Sequence, residues 1–177
     1  MPIVPDTKNW TWVLERPCPD CGFVAERFEP ADAPARIRAN AARWRELLAH
    51  PKVAQRPNDS TWSALEYGCH VRDVFRLFNT RLVRMMSEDG PQFANWDQDV
   101  TAIEERYSEQ DPSTVADEIE VAGEALAVSF SKVTPADHER TGFRSDGAAF
   151  TVGSFARYLM HDPLHHVWDV EHMSFTD

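Results

Sequence analysis

Ser63-Ala64-Leu65-Glu66 constrains the fold of this chain more than any other stretch, because it fixes where a long helix begins. Ser at an N-cap accepts from the backbone N–H three residues on, and Glu at that third position reaches back to the cap N–H. Trp62 before the cap and Tyr67 at the fourth helical position have the spacing of a hydrophobic staple. No breaker follows until Asp89-Gly90-Pro91, so one helix is expected over 64–87. A helix that long needs partners to cover its apolar face.

Three further segments supply them. Over 33–49, Asp32 can cap, Pro34 suits an early helical position, and Ile37, Ala41, Trp44 and Leu48 share one face before Pro51 stops the run. A third helix is expected from Asp111-Pro112-Ser113 to about residue 133, where Thr134-Pro135 ends it. A fourth is expected over 151–172, with Phe150, Thr151 and Phe155 repeating the staple geometry. Between these, 92–110 is expected to be a long loop with a helical turn near 100–107. Residues 140–150 are expected to be a turn or short hairpin around Ser145-Asp146-Gly147. Residues 1–32 hold five prolines and read as an extended arm with a short strand at 9–14. The expected fold class is all-α: a four-helix bundle domain over 33–177, preceded by the arm.

Charge removes some functions. With 18 Lys+Arg against 29 Asp+Glu, a net charge of −11, the chain is a poor candidate for nucleic-acid binding, which needs cations to displace phosphate counterions. The acid is concentrated: 88–124 holds twelve acidic residues and one basic residue, Arg106, whereas 32–84 holds ten Lys or Arg against five acids. These charges either line solvated faces or bring the acidic stretch against the basic second helix. No apolar run reaches the roughly 18 residues of a membrane span, and the first residues lack the basic and apolar regions of a signal peptide. Three cysteines are too few for a disulfide framework. A soluble, cytoplasmic protein acting on a small molecule, with neither nucleic acid nor membrane as partner, is the expectation.

The histidines carry the chemistry. His161 and His165 lie four apart, about 6 Å of rise and about 40° of rotation on a helix, so their rings can converge on one ion. His166 points about 140° from His161 and cannot easily share that site. His70 lies on the second helix on the same side as Tyr67, Val74, Leu77 and Phe78, facing the core, and is the natural third ligand. Three neutral imidazoles suit zinc, nickel, copper or iron and leave one coordination position open. Pro163, between the paired histidines, removes a backbone bond to Leu159 and is able to kink the helix there. Asp73, three residues beyond His70, and Asp169, four beyond His165, are candidates to orient the ligand rings. Tyr67 and Trp168 are candidates to wall the pocket. Tyr67 and Arg81 share the His70 side and are candidates to orient or neutralise an anionic substrate, but Arg81 is about 16 Å along the axis from His70, and a structural salt bridge is its favoured role.

The other signals stay open. Cys18-Pro19-Asp20-Cys21-Gly22 resembles half of a zinc knuckle. It reads as a loop turn with free thiols, as a redox disulfide, or as a metal half-site completed by a partner or a distant His. Cys69 reads as a small core residue, and His172 as a surface residue.

The stretches 62–74, WSALEYGCHVRDV, and 161–170, HDPLHHVWDV, resemble the DinB/YfiT-like superfamily of metal-binding four-helix bundles. The resemblance spans about residues 30–172. In the superfamily one His stands on the second helix and two, four residues apart, on the last, which carries over to His70, His161 and His165. The resemblance implies a divalent metal, most often zinc or nickel, and frequent homodimers. It also implies thiol S-transferase or isomerase activity of the maleylpyruvate isomerase kind, with a low-molecular-weight thiol such as mycothiol or bacillithiol as cosubstrate. Metal-dependent hydrolysis and non-catalytic metal binding in stress are the neighbouring alternatives.

Overall fold

Caps decide where the helices of this protein start, and residues 9–174 are described here from a computed structural model. The helices are α1 (Ala33–Leu48), α2 (Ala64–Ser87), α3 (Gln98–Glu104), α4 (Pro112–Phe130) and α5 (Val152–Glu171). At α2 the capping box is complete: the Glu66 backbone N–H donates to Ser63 Oγ at 3.2 Å and the Ser63 N–H donates to Glu66 Oε2 at 2.9 Å. Asp111 caps α4 by accepting from the Thr114 N–H at 2.8 Å, and Thr151 caps α5 by accepting from the Ser154 N–H at 3.1 Å. Both staples form, with ring centroids 5.5 Å apart for Trp62–Tyr67 and 5.9 Å for Phe150–Phe155. Asp32 does not cap α1. It sits in a helical conformation at the end of a 3-10 turn, Pro30–Asp32, that runs directly into the helix.

The four long helices form the bundle. α4 packs against both α1 and α2, and α5 closes the other side against the same two helices. Trp44, Phe75, Ile119, Leu126 and Phe155 are fully buried between them. Gly123 on α4 allows a close approach: a Cβ there would stand 3.2 Å from Ala41 Cβ and 3.3 Å from Phe75 Cε2. The acidic stretch lies against both basic helices, with Arg38–Glu124 at 2.6 Å, Arg45–Asp117 at 2.6 Å and Arg72–Glu118 at 2.8 Å. The first two pairs are largely solvated and contribute little each.

All-α holds only approximately. Three short strands, β1 (Gln92–Phe93), β2 (Thr141–Arg144) and β3 (Ala149–Thr151), form a sheet in that order. β2 and β3 are the expected hairpin, turned by Gly147 at φ +95°, a conformation that glycine adopts without strain. β1 runs parallel to β2, pairing Gln92 with Phe143, within the stretch expected to be a loop. Two residues carry no periodicity from which a strand could be read.

The arm also differs from expectation. Trp10–Leu14 is a 3-10 helix capped by Asn9, not a strand, and two more 3-10 turns follow. The segment folds back on α5 and buries Val13, Cys18, Ala25 and Phe28. Residues 1–8 of the expected arm lie outside the described residues. α5 is continuous through Pro163, whose carbonyl accepts from buried Asn40 Nδ2 at 2.9 Å. Among the described residues, no helix is long and apolar enough to cross a membrane.

Candidate metal centre

Residues 161–166 of α5 present two adjacent i, i+4 pairs, 161/165 and 162/166, about 100° apart around the helix. The structure sends them to different neighbours. Asp162 and His166 meet His70 of α2, while His161 and His165 meet Cys18 and Cys21 of the arm; within each group the ligand atoms lie within 4.8 Å of one another. The expected triad of His70, His161 and His165 is therefore divided. The paired histidines do come together, but the rotation of α5 about its axis brings them to Cys18 and Cys21 of the arm, in a group that does not include His70. Asp162, a carboxylate, stands at the same four-residue spacing from His166 that His161 has from His165, and that spacing is the sequence signal for it.

His70 is fully buried, and its Nε2 lies 3.2 Å from Asp162 Oδ1. His166 Nε2 lies 3.8 Å from the same oxygen. The other ring nitrogen of His166, Nδ1, is 2.8 Å from Asp169 Oδ2. When that carboxylate accepts the Nδ1 proton, the Nε2 lone pair faces Asp162 and His70, as a ligating imidazole requires. Asp169 thus supports His166 most directly; its distance to His165 Nε2 is 3.7 Å, too long for a hydrogen bond. Burial pushes the Asp162 carboxyl up, but the His70 and His166 imidazoles outweigh it and hold it down to about 2. The carboxylate is therefore ionised at neutral pH and available as an oxygen ligand.

The rings are fixed by aromatic packing. Trp96 stacks on His70 at 5.3 Å with planes 7° apart, Trp62 lies 5.6 Å from it, and Tyr67 lies 4.8 Å from His166. Tyr67 thus packs on the His166 ring. Trp168 lies 6.0 Å from His165 and stacks on His172 at 4.5 Å. Asp73 does not orient His70: it accepts from Arg72 at 2.9 Å, from Arg76 at 3.3 Å and from the Tyr107 hydroxyl at 2.5 Å. Asp73 lies about 60° around α2 from His70, and its carboxylate is taken up by these three partners, one of them in the turn that precedes α4.

A cavity of about 120 Å³ opens beside Asp162 and His166, with Arg81, Arg144, Trp96 and Tyr158 in its wall. Arg81 makes no ion pair among the described residues, contrary to the expected salt bridge. Its Nη2 donates to the Ala94 carbonyl at 2.8 Å and its buried Nε has no partner. Burial, aided by the nearby Arg144 cation, pushes the Arg81 guanidinium down to about 10, so it keeps its charge at neutral pH. Arg144 pairs with Asp146 at 2.8 Å and donates to the Tyr158 hydroxyl at 3.1 Å. Arg81 lines the same cavity as Asp162 and His166, so its distance along α2 from His70 does not keep it from the site.

In the second group, Cys18 Sγ lies 3.6 Å from His165 Nδ1, and all three cysteines of the chain are free thiols. Burial, with His165 alongside, pushes the His161 imidazole down to about 4, and burial raises the Cys21 thiol to about 11.

The sequence profile of the DinB superfamily matches residues 35–170, a span that includes His70, Asp162 and His166. The chain belongs to the DinB superfamily. Its fold is similar to that of YfiT from Bacillus subtilis, described as a probable metal-dependent hydrolase with an unusual four-helix bundle topology. The TM-score is 0.64 at 14% sequence identity, over 94% of this chain and 87% of that one. No curated protein matches the chain. The residues present in this DinB protein fit a divalent ion. Two imidazoles and an ionised carboxylate converge, and one imidazole is oriented by a further carboxylate.

Proposed function

We propose that this DinB protein is a metal-dependent enzyme acting on a small anionic molecule, with the ion held by His70, Asp162 and His166. The observation that carries the reading is the convergence of these three groups, two of which, Asp162 and His166, line a cavity that also presents Arg81 and Arg144. A divalent ion there, zinc or nickel foremost, would supply a Lewis acid and lower the pKa of a nucleophile brought to it. The chain's own residues do the remainder. Arg81, with an unpartnered Nε, and Arg144 offer fixed positive charge to a carboxylate or similar anion. Trp96 and Tyr158 line the cavity, and their apolar rings lower the local dielectric, which strengthens those interactions. Burial raises the Tyr158 hydroxyl despite Arg144, so it holds its proton at neutral pH and can donate it within the cavity.

Water is the nucleophile that the ligand chemistry favours. Two histidines and a carboxylate are a ligand set of hydrolytic zinc sites, and the description of YfiT points the same way. Attack by a low-molecular-weight thiol such as mycothiol or bacillithiol, giving S-transfer or isomerisation, is the second reading, supported by the resemblance to thiol-using branches of the superfamily. Metal-loaded, untagged protein incubated with carboxylate-bearing esters and amides, and separately with a thiol and an electrophilic acid, tests both. Product without thiol, lost in Asp162→Ala, supports hydrolysis, and product only with thiol supports transfer. No turnover in either assay with stoichiometric metal would overturn the enzymatic reading and leave metal binding alone.

A further inference from the structure

The group formed by Cys18, Cys21, His161 and His165 shares no residue with the proposed catalytic ligand set, although His161 and His165 also line the neighbouring cavity, and Cys18 and Cys21 lie outside the span that matches the superfamily. We propose that these four residues form a second, closed Cys2His2 site for zinc or a similarly thiophilic divalent ion, stapling the N-terminal arm to α5. Local backbone builds each half. The Cys18 N–H donates to the Phe23 carbonyl at 2.9 Å and the Gly22 N–H donates to the Cys18 carbonyl at 3.0 Å, closing a tight turn. Gly22 takes φ +73°, a left-handed conformation favouring glycine. This turn presents both sulfurs to α5, where His161 and His165 stand one helical turn apart.

The geometry suits an ion better than the alternatives. Cys18 Sγ and His165 Nδ1 are 3.6 Å apart. Bonds of about 2.3 Å to sulfur and about 2.05 Å to nitrogen at a tetrahedral angle would put them about 3.6 Å apart. His161 Nε2 is buried with no hydrogen-bond partner among the described residues, a cost that an ion would remove. A thiol–imidazole pair needs only one Cys and one His, and a disulfide needs no imidazole. Neither accounts for His161 turned into the same cluster. Four protein ligands leave no open position, the mark of a structural site.

Such a staple has a consequence for the neighbouring centre. Because 161/165 and 162/166 interleave on one helix, fixing the first pair to the arm sets the rotation that aims the second pair at His70. The docked arm also places Trp10 against His161 and His165, at 5.5 and 5.4 Å, and in the wall of the Arg81 cavity.

The test is cobalt(II) titration of the full, untagged, metal-stripped chain, followed by absorption. A thiolate-to-cobalt charge-transfer band is expected, saturating at one ion per chain, retained in His70→Ala and lost in the Cys18→Ser/Cys21→Ser double variant. On the wild-type chain, zinc is also expected to protect Cys18 and Cys21 from iodoacetamide, read by peptide mass spectrometry, so the test does not depend on the variant folding. No charge-transfer band at saturating cobalt, a band that persists in the double variant, or equal alkylation with and without zinc overturns the proposal. These outcomes are independent of catalysis, which fails separately if His70→Ala leaves turnover unchanged.

Discussion

Replacing Glu66 by Ala removes the group that both starts α2 and sits one turn before His70. Its carboxylate accepts from the Ser63 N–H at 2.9 Å, the Ser63 hydroxyl at 2.8 Å and Arg56 Nε at 2.9 Å. Ser63 is fully buried, so its stranded N–H costs about 1–3 kcal/mol, and the lost hydroxyl contact adds about 0.5–1 kcal/mol. Arg56 keeps 29% of its side chain exposed and can turn back to water, so losing that pair costs only about 1 kcal/mol. The expected sum is about 3 kcal/mol, or a fall in Tm of about 6–12 °C for a chain of this size. Glu66→Gln keeps an acceptor for the Ser63 N–H and loses only the charge, for about 1 kcal/mol. The effect depends on pH. Burial raises the Glu66 carboxyl, but Arg56 and Ser63 overcome it, so its folded pKa lies below the ordinary value. Its stabilisation is therefore complete above the unfolded pKa of about 4.3 and is lost as pH falls through the folded value. Urea unfolding followed by far-ultraviolet circular dichroism at neutral pH and near pH 3 measures this. A loss below about 1 kcal/mol for Glu66→Ala, equal losses for Ala and Gln, or a difference from wild type that does not shrink in acid would refute the reasoning.

Other expectations follow from the same structure. Asp169→Asn should weaken metal binding at the His70 centre by about 10- to 100-fold, measured by competition with a chelating dye, because His166 loses the carboxylate that orients it. Gly142→Ala should destabilise the fold by about 1–3 kcal/mol in urea unfolding, since the new Cβ would stand 2.8 Å from Met85 Cγ and from Phe93 Cζ. Arg81→Met, which keeps the apolar stem, should raise KM for an anionic substrate by about tenfold or more while changing kcat less; steady-state kinetics separates the two.

Much of the bundle was legible in the sequence because its signals are local. The box at Ser63–Glu66 and the cap at Thr151 are four-residue patterns whose hydrogen bonds close within one turn, and the structure forms both. The rotation of α5 was not legible. Periodicity states which residues share a face, so His161 and His165 were paired correctly, but it does not state which neighbour that face meets. That is decided by contacts such as Cys18 with His165, which lie 147 residues apart. The same limit hid the folded arm, read as extended from its prolines, and β1, whose two residues become a strand only when Phe143 and Arg144 are alongside. Asp162 has no distinctive signal for a chemical reason: a carboxylate beside histidines is a common surface neighbour, and only its contact with buried His70 sets it apart.

Anomalous diffraction at the zinc edge, from crystals of the full chain loaded with zinc, tests the central claim most directly. The account predicts a peak bonded at about 2.1 Å to His70, Asp162 and His166. Strong peaks elsewhere in the molecule with none between those three side chains would contradict it.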